Sequence, residues 1–78
     1  MEKHSVSIRG HRTSFSLEPE FWAHVKKAAK NRGFSTARLV TMIDDQRDPK
    51  QNLSSALRVF VLQQLEARLQ ELNPDETP

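Results

Sequence analysis

The sequence predicts a mostly α-helical fold with one short β-ribbon. A segment that alternates polar and apolar residues precedes Pro19, as expected of a half-buried strand. Apolar residues then recur at helical spacing up to Gly33, and again after Ser35 and Asn52. The 78 residues make one domain.

The strand spans residues 12–17. Its two faces carry Thr13, Phe15 and Leu17 on one side, and Arg12, Ser14 and Ser16 on the other. A lone strand cannot satisfy its own backbone hydrogen bonds. A second copy of the chain, pairing antiparallel about a two-fold axis, is the simplest source of a partner strand. Such pairing would leave the polar faces of both strands pointing outward together.

Residues 1–11 form an N-terminal arm or an extra strand. Val6 and Ile8 occupy even positions whereas Phe15 occupies an odd one, so an uninterrupted strand would place them on opposite faces. Gly10 is the natural place for a change of phase. It marks either a bulge in one long strand or, with His11, a tight turn that folds the arm back on the ribbon.

The arm also carries cationic and imidazole side chains that reach phosphates in either arrangement, namely Lys3, His4, Arg9 and His11. The alternative is an ordinary polar arm with frayed ends. The three histidines of the chain lack the spacing of a metal site. We therefore predict no metal and no cofactor.

Pro19 suits the first turn of a helix, because its missing N–H would be unpaired there anyway. The apolar stripe of that helix includes Trp22, which we expect to pack in the core. Gly33 is the predicted C-terminal cap. Ser35 is the predicted N-cap of a second helix that ends near Gln46.

A polar loop, residues 47–52, is broken by Pro49 and precedes a third helix over residues 53–72, capped by Asn52 or Ser54. Its predicted apolar stripe is Leu57, Val61, Leu65, Leu69 and Leu72, widened by Leu62. The run of residues 59–62 is apolar around the whole helix, which is typical of a helix buried on all sides. One small chain cannot provide that burial, so the run is a second argument for a dimer. Residues 73–78 form a predicted disordered tail.

The sequence GHRTSFSLEPEFW, followed by the turn at Gly33 and Ser35, resembles the ribbon-helix-helix family of the Arc and MetJ type. With NLSSALRVFVL, it resembles a subgroup that has an added C-terminal helix. The resemblance implies an intertwined homodimer whose two-stranded ribbon enters the DNA major groove. LSSALRVFVL also resembles the capped second helix of the family, so that helix has two candidate equivalents.

The resemblance also implies which residues act. Arg12, Ser14 and Ser16 would face the bases, while the helix start at Ser35, Thr36, Ala37 and Arg38 would hold a phosphate. Free N–H groups at a helix start attract anions for independent physical reasons. Lys3, Arg9 and His11 are possible contacts to the DNA backbone. The expected dimer core comprises Phe15, Leu17, Trp22, Val59, Phe60 and Val61.

Charge is unevenly distributed along the chain. Residues 1–40 contain eight Lys and Arg against three Asp and Glu, whereas residues 41–78 contain four against seven. A basic half that includes the ribbon is typical of nucleic-acid binding. The chain contains no cysteine and no apolar run of membrane-spanning length. We predict a cytoplasmic protein that is not an enzyme and does not contact membranes.

The sequence thus favours a dimeric DNA-binding protein, a transcriptional regulator. The alternative is the same dimer acting as a protein–protein adaptor without specific DNA binding. The ribbon serines, Glu18 and the acidic C-terminal half favour this alternative.

Overall fold

The computed structural model describes residues 1–72 and confirms a mostly helical fold with one two-stranded antiparallel sheet. The elements in chain order are β1 (Glu2–Ile8), β2 (His11–Leu17), α1 (Pro19–Asn31), α2 (Thr36–Gln46) and α3 (Leu53–Leu72). The predicted disordered tail, residues 73–78, lies outside the described residues.

The two strands form a hairpin within one chain. Ile8 pairs with His11 across a two-residue turn made by Arg9 and Gly10. Both turn residues have positive φ, 52° and 80° respectively, as a type I′ turn requires. Of the two alternatives at Gly10, the chain therefore adopts the turn. The turn residues are Arg9 and Gly10 rather than the predicted Gly10 and His11. β1 of the same chain supplies the partner strand, so the backbone hydrogen bonds of β2 do not by themselves require a second copy.

A Schellman motif ends α1. The N–H of Phe34 donates to the carbonyl of Ala29 at 2.9 Å, and the N–H of Gly33 donates to that of Lys30 at 3.1 Å. Gly33 has a φ of 73°, which glycine adopts at little cost. The reversal places Ser35 directly at the start of α2, where its Oγ accepts from the N–H of Arg38 at 3.1 Å.

Arg47 organises the loop between α2 and α3. Its Nε donates to Asp44 Oδ1 at 2.7 Å, and its Nη1 donates to the carbonyl of Gln51 at 2.6 Å. Asn52 then caps α3, because its Oδ1 accepts from the N–H of Ser55 at 2.8 Å. The loop is therefore fixed to the end of α2 and the start of α3.

The core lies between the inner face of the hairpin and the three helices. Its buried members are Ile8, Phe15, Leu17, Val25, Ala29, Leu39, Val40, Ile43, Leu53, Ala56, Leu57 and Val61. Phe15, Leu17 and Val61 are thus buried by their own chain, and Trp22 and Phe60 pack partly buried against the same core. Val59 differs from them, with 42% of its surface exposed. Because Phe15, Leu17 and Val61 are buried within one chain, their burial does not by itself require a second copy.

No helix within residues 1–72 is long and apolar enough to span a membrane.

Candidate nucleic-acid interface

The solvent-facing side of the hairpin, which we call the outer face, joins polar residues of both strands. It consists of Lys3, Ser5, Ser7, Arg12, Ser14 and Ser16, all of them exposed. The register places Lys3 opposite Ser16, Ser5 opposite Ser14 and Ser7 opposite Arg12. The face is therefore two cations and four hydroxyl groups, with no carboxylate among them.

The pairs on the outer face are close across the strands. The Oγ atoms of Ser5 and Ser14 lie 3.3 Å apart. In a hairpin with a two-residue turn, the pair next to the turn, here Ile8 and His11, is hydrogen-bonded across the strands. Hydrogen-bonded and non-hydrogen-bonded pairs alternate, so the outer-face pairs are of the second kind. Their backbone N–H and C=O groups therefore point to the free edges of the sheet. At one end of the β2 edge, the Ser54 hydroxyl donates to the carbonyl of Ser16 at 2.6 Å. The backbone groups of Arg12 and Ser14 face the rest of that edge.

Glu18 follows the ribbon directly, but its charge is compensated. Arg58 of α3 donates to both carboxylate oxygens, from Nε at 2.9 Å and from Nη2 at 3.3 Å. These hydrogen bonds lower the pKa of the Glu18 carboxyl from its ordinary value. Because a charge-assisted pair of this geometry neutralises the carboxylate locally, Glu18 does not oppose an anion as strongly as the sequence suggests.

The inner face of the hairpin holds His4, which the sequence placed among the phosphate contacts. Its ring stacks on Trp22 with centroids 4.0 Å apart and lies 5.6 Å from the Phe15 ring. The His4 Nε2 atom is buried and has no hydrogen-bond partner. His4 belongs to an aromatic cluster under the ribbon, so its expected role as a phosphate contact is not supported.

The start of α2 combines a helix terminus with a fixed cation. Ser35 uses the N–H of Arg38 as its capping donor, and the N–H groups of Thr36 and Ala37 belong to the first turn, where no intrahelical carbonyl is in reach. The Arg38 guanidinium lies over the Phe34 ring, 4.4 Å from its centroid. This cation–π contact holds a positive charge beside a helix terminus that already favours anions.

Arg9 and His11 lie at the hairpin turn and are exposed. Arg9 forms an ion pair with Asp45 in the last turn of α2. Because this pair ties the turn to the C-terminal end of α2, the helix start at Ser35 lies roughly 15 Å further along the helix axis. The predicted phosphate contacts therefore lie in two separate places on the surface. Arg9 would have to bind a phosphate while it is paired with the Asp45 carboxylate.

Three contributors were absent from the sequence-based site. Ser5 and Ser7 join the outer face because Gly10 forms a turn, and the polar alternation of the arm was the available signal. Arg58 acts on Glu18 from 40 positions away, and no local pattern reveals that pair. Within residues 1–72, no cluster of three or more His, Asp or Glu side chains is arranged to hold a metal ion.

The family profile described as a ribbon-helix-helix domain matches residues 1–65, which is most of the chain. No curated protein and no solved structure matches. Proteins of the matched family are typically DNA-binding transcription regulators, and their fold is not enzymatic.

Proposed function

The chain belongs to the ribbon-helix-helix family, and on that premise we propose that it is a dimeric DNA-binding protein that regulates transcription. The observation that carries this proposal is the outer face, where Lys3 and Arg12 flank four serine hydroxyls without a carboxylate among them. A polar, cationic two-stranded ribbon suits the major groove, which admits a β-ribbon and presents donors and acceptors.

Within this proposal, the residues of the outer face make two kinds of contact, to base edges and to the phosphate backbone. Arg12 donates to base edges, and Ser14 and Ser16 make short contacts that accept or donate. Ser5 and Ser7 act in the same way from β1. Lys3, at the other end of the ribbon, contributes a contact to the phosphate backbone, which positions the protein without reading sequence.

The start of α2 is the proposed phosphate clamp. A phosphate there would accept hydrogen bonds from the N–H groups of Thr36 and Ala37, with the Arg38 side chain adding a charge. Support comes from the Ser35 cap, whose Oγ accepts from the Arg38 N–H at 3.1 Å and so fixes the first turn of α2. The contact between Arg38 and Phe34 adds further support. Arg9 and His11 remain proposed backbone contacts at the turn.

The homodimer is part of the proposal. Two copies would double the basic surface of residues 1–40 and present two copies of the outer face to one DNA site. The proposed contacts between copies involve the ribbon and the residues of the expected dimer core, among which Val59 is exposed in the single chain. We further propose a cytoplasmic location, no cofactor and no enzymatic activity.

Titration of duplex DNA at several salt concentrations tests the proposal. Purified protein is mixed with random-sequence duplex and with DNA from upstream of its own gene. Binding through phosphates weakens with a log–log slope of about −0.9 per neutralised phosphate. Salt-sensitive binding with a preference for the upstream DNA is the expected result. Absence of binding at low salt would contradict the proposal and favour the adaptor.

Two variants test the assigned surfaces. Arg12→Ala removes a base-edge donor from each copy, so binding to the upstream DNA should weaken by about 1–3 kcal/mol for each lost contact and the preference for that DNA should fall. Lys26→Ala removes the same charge from the exposed surface of α1 and serves as the matched control. Ser35→Ala should also weaken binding without unfolding the protein. If Arg12→Ala and Ser35→Ala both bind like the parent, neither the ribbon nor the start of α2 contacts DNA as proposed.

A further inference from the structure

The second half of α3 projects beyond the domain. Val61 is the last buried residue of the helix, and every position from 62 to 72 is exposed. An isolated helix of this length is marginal in water, and helices in proteins depend mostly on packing of an apolar face. This projecting segment is therefore expected to pack against something.

Leucines recur along the projecting segment at coiled-coil spacing. Leu62, Leu65, Leu69 and Leu72 are separated by three, four and three residues, the a and d spacing of a heptad repeat. Their exposed fractions are 55%, 37%, 59% and 71% respectively. We call these four residues the leucine stripe.

The leucine stripe does not continue the core-facing side of α3. Residues four apart on a helix advance by about 40° around its axis. Leu57, which is fully buried, and Leu69 are therefore rotated by about 120° from each other. The stripe predicted from the sequence, Leu57 to Leu72, winds from the core onto a different side of the helix, so one helix presents two apolar surfaces.

The stripe joins an apolar groove at its N-terminal end. The groove is lined by Phe21 of α1 and by Val59, Val61, Leu62 and Leu65 of α3, with Arg58 at its margin. Arg58 is held in place by its ion pair with Glu18, in which Nε and Oε1 lie 2.9 Å apart. A continuous apolar face thus runs from α1 to the end of α3. Monomeric proteins seldom expose such a face unless it binds a partner.

We propose that the leucine stripe is a self-association surface, covered by the same stripe of a second copy of this chain. The spacing is self-complementary, because leucines at a and d insert between those of an identical helix. The two residues that flank the stripe, Glu66 and Arg68, carry opposite charges, so neither repulsion between copies nor attraction to DNA acts here. A helix-to-helix contact also suits a domain too small to build a large core alone.

This contact adds to what the family provides. The family match ends at residue 65, so Leu69 and Leu72 lie beyond it. The identity of the occupant rests on the two-copy assembly proposed above. Its test uses no DNA, so the stripe and the DNA-binding function can fail separately.

The molar mass of the full chain, measured by light scattering over a dilution series, tests the stripe. Leu65→Gln/Leu69→Gln keeps helix propensity but removes apolar contacts from both copies. We expect self-association to weaken by about tenfold or more. Gln63→Ala/Gln70→Ala, on the other side of the helix, is the matched control and should associate like the parent. Equal masses for the leucine variant and the parent, or a parent that is monomeric throughout, would overturn the proposal.

A second measurement applies even if the leucine variant fails to fold. The chain has no cysteine, so single spin labels are placed at Glu66→Cys, beside the stripe, and at Ala67→Cys, opposite it, with all leucines kept. We expect a shorter distance between copies for the label at 66. Equal distances, or no coupling at either position, would overturn the proposal and leave the stripe for a different protein.

Discussion

The Arg58 guanidinium of α3 holds the Glu18 carboxylate at the junction of β2 and α1, with 2.9 Å between Nε and Oε1. One helical turn before Arg58, the Ser54 hydroxyl donates to the carbonyl of Ser16 at 2.6 Å. Residues four apart share one side of a helix, so a single side of α3 is attached to the end of the ribbon twice. The position of the ribbon relative to the helices therefore depends on α3.

The Glu18–Arg58 pair predicts a pH-dependent stability. Hydrogen bonding to Arg58 lowers the pKa of Glu18 in the folded chain, so the folded state favours the ionised carboxylate. The stabilisation is present above the ordinary carboxyl pKa and is lost as the pH falls through the lowered value. Glu18→Gln should lower the denaturation midpoint at neutral pH and approach the parent in acid.

Chemical denaturation at a series of pH values measures this effect. Glu20→Gln, in the exposed first turn of α1, removes the same charge without breaking the Glu18–Arg58 pair and is the matched control. At neutral pH its midpoint should change less than that of Glu18→Gln. A constant difference between Glu18→Gln and the parent down to strong acid would show that the pair does not provide the pH-dependent stabilisation.

Gly10→Ala should destabilise the chain by about 1–2 kcal/mol, because an L-residue in a left-handed conformation is strained. The φ of Gly10 is 80°, and an added Cβ would meet no atom within 4 Å. The cost is therefore conformational rather than steric. Urea denaturation measures it, with Ser7→Ala as a control inside the neighbouring strand. An unchanged midpoint for Gly10→Ala would contradict the type I′ turn.

His4→Phe is expected to stabilise the chain by about 1 kcal/mol. The buried His4 Nε2 has no hydrogen-bond partner, since the nearest carboxylate oxygen, Glu2 Oε1, lies 3.8 Å away. A buried polar atom without a partner costs about 1–3 kcal/mol. Phenylalanine retains a ring that can stack on Trp22. Thermal unfolding followed by circular dichroism provides the comparison, and His24→Phe on the exposed surface of α1 should change little. A loss of stability in His4→Phe would show that the imidazole is satisfied, for instance by water.

Substitutions at Ser35 separate capping from anion binding. Ser35→Ala removes the acceptor of the Arg38 N–H and should cost about 1 kcal/mol. Ser35→Asp keeps a capping oxygen and should retain stability, but its negative charge would repel a phosphate at the same helix start. We expect Ser35→Asp to unfold like the parent and bind DNA more weakly. If Ser35→Asp binds DNA with the affinity of the parent, no phosphate is bound at the start of α2.

The sequence by itself determined the features that depend on neighbouring residues. Pro19 begins α1, Gly33 ends it, and Ser35 caps α2, since each acts through backbone conformation or a hydrogen bond within a few positions. The alternation of residues 12–17 identified the strand and its outward residues. The family resemblance rested on the same local patterns and is confirmed by the match to residues 1–65.

Only the tertiary structure decided what depends on distant contacts. It chose the turn at Gly10 over a bulge, because β1 can then bury Ile8 on the same core as Phe15. It also paired Glu18 with Arg58, which no local pattern indicates. The predicted stripe of α3 was continuous in sequence, yet the domain covers it only as far as Val61. Periodicity defines an apolar side of a helix, but what packs against that side depends on where the rest of the chain ends.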